Sequence, residues 1–434
     1  MNTRRRAGLW RGLTAVMACL LALIIGASAI AKANASFING RLGITNYKIV
    51  DKADGEKPDA IYYKSEFGSL QDVIAAKNAL AEEIASEGTV LFKNLNSTLP
   101  LDTGAETVTL WGLNSVNPTL GGKIGSSVSI SADAGQVQYD LVASLKEKGF
   151  NLNPTMLAFY QQEDMTSDYG RANGHSLNPS FGKVYENPSA YCVGEASASV
   201  YTEDLLSSAD GTAAIVVFSR DSSEAADYHP DMQSTGPGKK KENSDSYARP
   251  LALSTNEKAV LEMAKAHSTK VIVLINANNP IEIDDLKNDE AIGAIVWVGE
   301  PGMNGFLGVA DVLSGAVNPS GHITDTFAVK SDSAPAMVNF GVYLYTNNSK
   351  DGTGDLLGED DKGDWYVVEN EGIYTGYKYY ETRYEDAVLG QGNATDGTGA
   401  IGDSWNWDDE VSYSFGYGIS YTTFEQKRNS VEVN

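Results

Sequence analysis

The sequence predicts an α/β fold: a mostly parallel sheet sandwiched between helices, preceded by one N-terminal hydrophobic helix. Three observations carry this. Ala213–Phe218, Lys270–Ala277 and Ala294–Gly299 are short apolar runs without polar alternation, the pattern of strands buried on both faces. Helical stretches are interleaved with the later runs: Thr255 to about His267, and Gly305–Leu313 ended by Gly315. This alternation implies parallel strands with helical crossovers. Leu13–Ala31 is apolar and free of charge, directly behind Arg4, Arg5, Arg6 and Arg11.

That N-terminal run is long enough to span a bilayer. The arginines keep its start inside, so the remainder is exported. Two readings are open: a single membrane anchor with an extracytoplasmic domain at the cell membrane, or a signal peptide. Cleavage at Ala31-Lys-Ala33 or Ala33-Asn-Ala35 would give a secreted protein. The length of the run favours the anchor. Residues 1–35 form this segment, and 36–69 a juxtamembrane stretch without periodicity.

Leu70–Glu87 follows as an amphipathic helix, with Leu70, Val73, Ile74, Leu80 and Ile84 on one face and Gly88 as its stop. Thr89–Lys93 and Val108–Gly112 read as strands. Gly121–Ser127 is a loop of small residues; it lacks the Walker spacing and reads as a structural turn. Gln136–Lys148 is the next helix. Residues 151–212 are irregular, with helical pieces around Met156–Gln162 and Thr202–Ser208. Residues 230–250 are a polar connection whose Lys239–Lys241 run is a solvated face. Glu282–Leu286 is a helical turn. Beyond Ala334 the character changes. Residues 346–364 and 391–403 read as loops. Tyr374–Tyr384 alternates aromatic and polar residues, which predicts a strand or hairpin. Tyr413–Phe424 is rich in glycine and aromatics and needs a surface to dock on.

With 434 residues, 42% of them hydrophobic, the chain can bury a large core, and its length suggests two or three domains. A net charge of −24 argues against nucleic acid and anionic membrane surfaces as general partners. Cys19 lies in the apolar segment and Cys192 stands alone beyond it, which excludes an intrachain disulfide outside the membrane segment. The four histidines are scattered and no G-x-G-x-x-G follows a strand, so neither a metal nor any other cofactor is expected.

The Ala213–Phe218 strand ends in a polar turn holding Arg220, Asp221, Glu224, Asp227 and His229. Ligands of open α/β sheets sit beyond the carboxyl ends of strands, which makes Glu224 a candidate catalytic acid. Taken alone, the loop is better explained as a solvated charged turn. Trp297 reads as core. Glu300 reads as a turn residue or a cleft residue, His229 as structural or substrate-contacting, and Tyr377, Tyr379 and Tyr380 as packing rather than a ligand platform.

Four ordered segments then resemble one family. Glu87-Gly-Thr-Val-Leu-Phe-Lys-Asn94 with Leu99-Pro-Leu101, Asn318-Pro-Ser-Gly-His-Ile-Thr-Asp-Thr-Phe327, Glu371-Gly-Ile-Tyr-Thr-Gly-Tyr-Lys-Tyr-Tyr380 and Phe415-Gly-Tyr-Gly-Ile-Ser-Tyr-Thr-Thr-Phe424 are similar to motifs of the α/β-sandwich domain of glycoside hydrolase family 3, the β-glucosidase and β-xylosidase family. The likeness covers about residues 70–425. It implies a sandwich domain over 70–345, a loop- and aromatic-rich closing segment of the same domain over 346–425, and the start of a following module at 426–434.

The resemblance also implies an activity: hydrolysis of terminal β-linked sugars by a retaining mechanism, on an oligosaccharide or aryl β-glycoside. Such a mechanism needs two carboxyl groups about 5–5.5 Å apart. In this family the nucleophile, an Asp in Ser-Asp-Trp, belongs to a (β/α)8 barrel, and the sandwich domain supplies the acid/base. Ser222–Tyr228 is similar to the family's acid/base loop, with Glu224 on the acid and Asp227 on the following acid; Ser223 and Ala225 replace its glycines. Arg220 matches a common Arg two residues beyond the strand. Arg220, Asp227 and His229 are the candidate substrate contacts. Glu224 must start protonated, which burial or the neighbouring Asp221 and Asp227 would favour and pairing with Arg220 would oppose.

No Ser-Asp-Trp occurs in the sequence; Gly363-Asp-Trp365 follows a charged loop. No stretch accommodates a barrel, which takes roughly 200–250 residues. The chain therefore resembles the front half of a permuted family member or a truncated product, inactive without a barrel in cis or trans. The competing expectation is a non-catalytic surface module that binds glycans or proteins.

Overall fold

The computed structural model describes residues 3–35, 66–121, 138–171, 193–221, 245–337, 371–394 and 405–423, with single positions at 38, 228, 340, 369, 425, 427 and 430. They fall into two units, Met1–Gly68 and Ser69–Asn434. The first contains helix α1, Thr3–Ala33. Its Trp10–Ala33 portion, 24 residues, is long and apolar enough to cross a membrane.

The second unit is built on six strands: β1 Val90–Asn94, β2 Thr107–Trp111, β3 Asn151–Leu152, β4 Thr212–Arg220, β5 Ser268–Ala277 and β6 Ala294–Trp297. Their spatial order is β1-β6-β5-β4-β2-β3. All neighbours run parallel except the edge strand β1, which is antiparallel to β6. Every residue of β4 is buried. Ala214, Val216 and Phe218 enter one core layer, and Ala213, Ile215 and Val217 the other. The strand has no polar alternation because both of its faces are covered.

The helices are α2 Leu70–Gly88, α3 Leu141–Glu147, α4 Pro154–Tyr160, α5 Glu163–Tyr169, α6 Glu203–Ser207, α7 Thr255–His267, α8 Asp284–Asn288 and α9 Gly305–Ser314. One layer receives Val260, Leu261 and Ala264 of α7 with Met156 and Tyr160 of α4. The opposite layer receives Phe306, Val309 and Leu313 of α9 with Leu141 and Leu145 of α3. A mostly parallel sheet sandwiched between helices is thus the observed architecture.

Local signals set the ends. Ser254 and Glu257 form a reciprocal capping box that starts α7. Gly315 closes α9 in the left-handed conformation at φ 78. The helix expected from Gln136 begins only at Leu141, because the Asp140 side chain accepts from Ala143 N as its N-cap. Helix α5 arises within the stretch read as irregular. Of the loop expected at Gly121–Ser127, only Gly121 is among the described residues.

Two expectations are corrected. Leu70, Val73, Leu80 and Ile84 of α2 are exposed rather than turned to the core. Helix α2 packs on α9 through small residues instead. A Cβ on Gly308 would lie 2.2 Å from the Glu82 carbonyl, and one on Gly305 would lie 2.9 Å from the Ala85 Cβ. Contacts this close leave no room for a side chain at Gly308 and only for small ones, such as Ala85 and Ser86, on the facing side of α2. The second correction is α10, Tyr377–Leu389, a helix where a strand or hairpin was expected. Its buried residues Tyr379, Tyr380, Arg383 and Asp386 follow a helical period, not a period of two.

The closing segment docks on the amino-terminal edge of the sheet. β7 Phe327–Ala328 pairs with β8 Val411–Tyr413, which follows the short helix α11, Trp407–Glu410. Phe92 lies 4.9 Å from the Phe327 ring and 4.6 Å from the Tyr413 ring. Ile419 N donates to the Leu91 carbonyl at 2.9 Å, which covers edge strand β1.

Candidate functional site

Strand β2 has β3 on one side and β4 on the other, so the winding of the sheet reverses between β2 and β4. Ligand crevices of open α/β sheets lie outside the carboxyl ends of the strands at such a point. The site is therefore built from the segments that leave β2, β4, β5 and β6.

At the end of β4, Arg220 is fully buried. Nε donates to the Pro250 carbonyl at 2.8 Å, Nη1 to the Ser219 carbonyl at 2.9 Å and Glu257 Oε1 at 2.6 Å, and Nη2 to the Ala252 carbonyl at 2.8 Å and Glu257 Oε2 at 2.9 Å. These bonds engage all five N–H donors of a guanidinium. Arg220 is therefore a structural clamp between β4, the 250–252 segment and the start of α7, and not the substrate contact expected of it; no donor is left for a sugar hydroxyl. Its carboxylate partner is Glu257.

Beyond Arg220, Asp221 and Tyr228 are described; Glu224, Asp227 and His229 lie outside the described residues. Tyr228 Oη donates to the Asp221 carbonyl at 2.7 Å. The two flanks of the 222–227 segment are thus in direct contact.

The end of β2 holds a group that local sequence did not reveal. Gly112, at φ 87, turns the chain so closely that a Cβ there would lie 2.9 Å from Glu195 Oε2. Leu113 N lies 3.2 and 3.0 Å from the two Glu195 oxygens, and Ala196 N donates at 2.9 Å. Burial pushes the Glu195 carboxyl up to about 8, against the opposing pull of the Ala196 and Leu113 amides; the nearby Glu257 and Asp245 carboxyls add to the rise. That rise favours the protonated form of Glu195. It comes from the stretch read as irregular, where no spacing or motif marks it. Asp245, raised by burial to about 6, accepts from Asn256 N and Ser246 N, each at 3.0 Å.

Asn276, fully buried near the end of β5, joins the segments. Its Oδ1 accepts from Thr119 N and Ser219 Oγ, each at 2.7 Å; its Nδ2 donates to the carbonyls of Thr119 at 2.9 Å and Gly299 at 2.6 Å. Arg171 holds the chain after β2, through Asn114 Oδ1 at 2.7 Å and the Asn117 carbonyl at 2.8 Å. Trp297 packs on the core and donates its indole N–H to the Ala277 carbonyl at 2.7 Å. Glu300 lies in the turn after β6, with its carboxylate against Gly121. Tyr379 and Tyr380 are buried in a small cluster with Ala328 and Val411, a packing role. Among the described residues, no group of three or more His, Cys, Asp or Glu side chains could hold a metal ion.

Arg220, Glu195 and Asn276 thus tie together the segments that leave β2, β4 and β5. Three comparisons bear on the family and the fold. The model of the glycosyl hydrolase family 3 C-terminal domain matches residues 89–421. Beta-glucosidase A of Butyrivibrio fibrisolvens is 28% identical over 365 residues, covering 80% of this chain and 35% of that protein; a beta-glucosidase of Ruminococcus albus is 26% identical over 348 residues, covering 80% and 28%. Among solved structures, the beta-glucosidase of Paenibacillus barengoltzii superposes with a TM-score of 0.54 at 24% identity, over 86% of this chain and 32% of that one. Beta-glucosidase 3B of Thermotoga neapolitana superposes at 0.53 and 24% identity, over 83% and 40%. These likenesses support the fold. The chain thus spans about a third of the length of the relatives it matches. Because the family model covers residues 89–421, most of the chain, the protein belongs to glycoside hydrolase family 3 and carries that family's C-terminal domain.

Proposed function

We propose that this chain supplies the acid/base half of a retaining β-glucosidase-like site, with Glu224 as the acid/base and a (β/α)8 barrel as the partner that brings the nucleophile. The observation that carries this reading is the Ser222–Tyr228 segment, whose sequence is similar to the family's acid/base loop and which follows a buried strand at the switch point of the sheet. In the first step the nucleophile carboxylate forms an ester with the anomeric carbon as the C–O bond to the leaving group breaks; Glu224 gives its proton to the departing oxygen. In the second, Glu224 takes a proton from water, which attacks the anomeric carbon and frees the nucleophile. Asp227 and His229 are the proposed sugar contacts of this half.

The test mixes the purified chain with a separately produced family barrel that bears the Ser-Asp-Trp nucleophile. Release from an aryl β-glucoside is measured for each part and for the mixture. Neither part alone is expected to turn over, and the mixture is. Glu224→Gln should lower turnover of the mixture on the order of 10²- to 10⁴-fold. Unchanged turnover removes the assignment, and robust hydrolysis by the chain alone sinks the need for a partner.

We also propose that α1 anchors the chain in a membrane. Its length and apolar composition support this. The chain should stay with the membrane pellet after alkaline carbonate extraction; a chain lacking residues 1–35 in the mature product would instead identify a cleaved signal.

A further inference from the structure

We propose that the uncovered apolar seam of α2 is the docking surface for the (β/α)8 barrel, which meets it with an amphipathic helix of its outer ring. This rests on the reading that a barrel completes the site.

Helix α2 presents different side chains on two faces. Toward α9 it is small: the backbone of Glu82 and Ser86 lies against Gly308, and Ala85 against Gly305. Asn304, the residue before α9, donates from Nδ2 to Asn78 Oδ1 at 2.8 Å. These contacts fix which way the helix is turned. Its other face carries Leu70, Val73, Leu80 and Ile84, exposed by 65%, 40%, 54% and 62%. Their steps of three, seven and four are the a and d positions of a heptad, with Lys77 at the position between Val73 and Leu80. A stripe of that period is the seam along which one helix packs on another, and a contiguous apolar surface of this kind marks an interaction site.

The seam reaches the side of the sheet on which the site lies. Gly88 is the last residue of α2, and β1 begins two residues on at Val90, opposite Trp297, the last residue of β6. Helix α2 therefore ends at the carboxyl end of β6. Ile84 is one turn back from that end, about 6 Å of helix rise.

The relatives point to the occupant. This chain covers 35% and 28% of the two beta-glucosidases, so in each the matched region adjoins a much larger remainder. A (β/α)8 barrel is ringed by helices, which suit a helical seam. A second copy suits it less well, because each copy carries a net charge of −24 and like-charged copies repel. Val388 and Leu389 of α10 are also exposed apolar residues, on the closing segment, and provide a surface for comparison.

The test places the full chain in nanodiscs and titrates the separately produced barrel, reading affinity by biolayer interferometry. Leu80→Glu with Ile84→Glu changes two side chains that already face water, and circular dichroism with Tm checks that the fold is kept. This seam variant should bind the barrel on the order of 100-fold more weakly. Val388→Glu with Leu389→Glu should bind as tightly as wild type. Leu70→Glu alone, in the first turn of α2, should weaken binding several-fold and keeps the test intact if the double variant unfolds. Equal affinity of the seam variants and wild type, or an equal loss in the α10 variant, overturns the proposal. So does a dimer of the chain alone in analytical ultracentrifugation that the seam variant abolishes, since that gives the seam to a second copy. Absence of binding by the wild-type chain shows instead that the reading of a barrel partner has failed, and the proposal with it. Turnover of the mixture separates the seam from the acid. Raising the barrel concentration should restore the seam variant and leave Glu224→Gln slow. If Glu224→Gln turns over like wild type while the seam variant still binds weakly, the acid/base reading has failed and the seam stands.

Discussion

The ends of β4 and β2 lie side by side in the sheet, and each buries a carboxyl group, yet they give it different partners. At β4, Glu257 meets a guanidinium on both oxygens. At β2, Glu195 is met by the backbone amides of Leu113 and Ala196, and its carboxyl is pushed up to about 8. A guanidinium meets a carboxylate with a full opposite charge and paired N–H donors. Peptide dipoles soften the desolvation cost of the other carboxyl without cancelling it, and burial raises its pKa.

The largest test of this contrast is at β4. Arg220→Met strands Glu257 as an unpaired buried charge, and chemical denaturation should register a loss of about 3–5 kcal/mol. Arg220→Met with Glu257→Leu should regain part of that loss. A single variant as stable as wild type would break the comparison.

Next in size is Glu195→Gln, whose effect depends on pH. The Glu195 carboxyl titrates near 8 in the folded chain and at an ordinary glutamate value when unfolded. Folding therefore takes up a proton between those values, and the wild type loses stability as pH rises from about 4.5 to 8, at up to about 1.4 kcal/mol per unit. Glutamine has no such loss. The Tm of the variant relative to wild type should climb from pH 5 to pH 8 and level off above. A flat difference across that range would show that Glu195 is ionised throughout.

The smallest effect is expected of Gly112→Ala. A backbone at φ 87 and ψ 142 lies near a region essentially reserved for glycine and costs an L-residue about 1–3 kcal/mol, and the new Cβ presses on the Glu195 carboxyl. The loss should shrink in a Glu195→Ala background if that contact is real, which thermal denaturation of both backgrounds would reveal.

How much could be read in advance follows the same division. β4 and β5 were legible because strands covered on both faces must be apolar at consecutive positions, and Ala213–Phe218 and Val271–Ile275 leave no other choice. The face of α2 was not. Leu80 and Ile84 mark an apolar stripe, but what decides the inward face is the proximity of α9, set by Gly305 and Gly308 more than two hundred residues away. In α10 the tyrosines suggest a period of two, while Arg383 and Asp386, buried polar residues, complete the helical face. The strand β4 that precedes the ionisable cluster was legible; Glu224, Asp227 and His229 themselves lie outside the described residues. Glu195 was not, since its burial depends on Gly112 and on Tyr160, whose hydroxyl accepts from Gly112 N at 2.8 Å. Arg220 was legible as a residue at the site but not as a clamp, because Glu257 is assigned to it only by the packing of α7.

The docking of the closing segment on β1 has a consequence in time. Tyr417 Oη donates to the Phe92 carbonyl at 3.2 Å across 325 positions of sequence. Synthesis proceeds at about 5–20 residues per second, so Phe92 and its edge strand leave the ribosome roughly 15–65 s before the segment that covers them. During that interval β1 presents open backbone and an uncovered aromatic ring. The nascent chain passes through that interval with β1 open, and the segment bearing Tyr417 is the one that ends it.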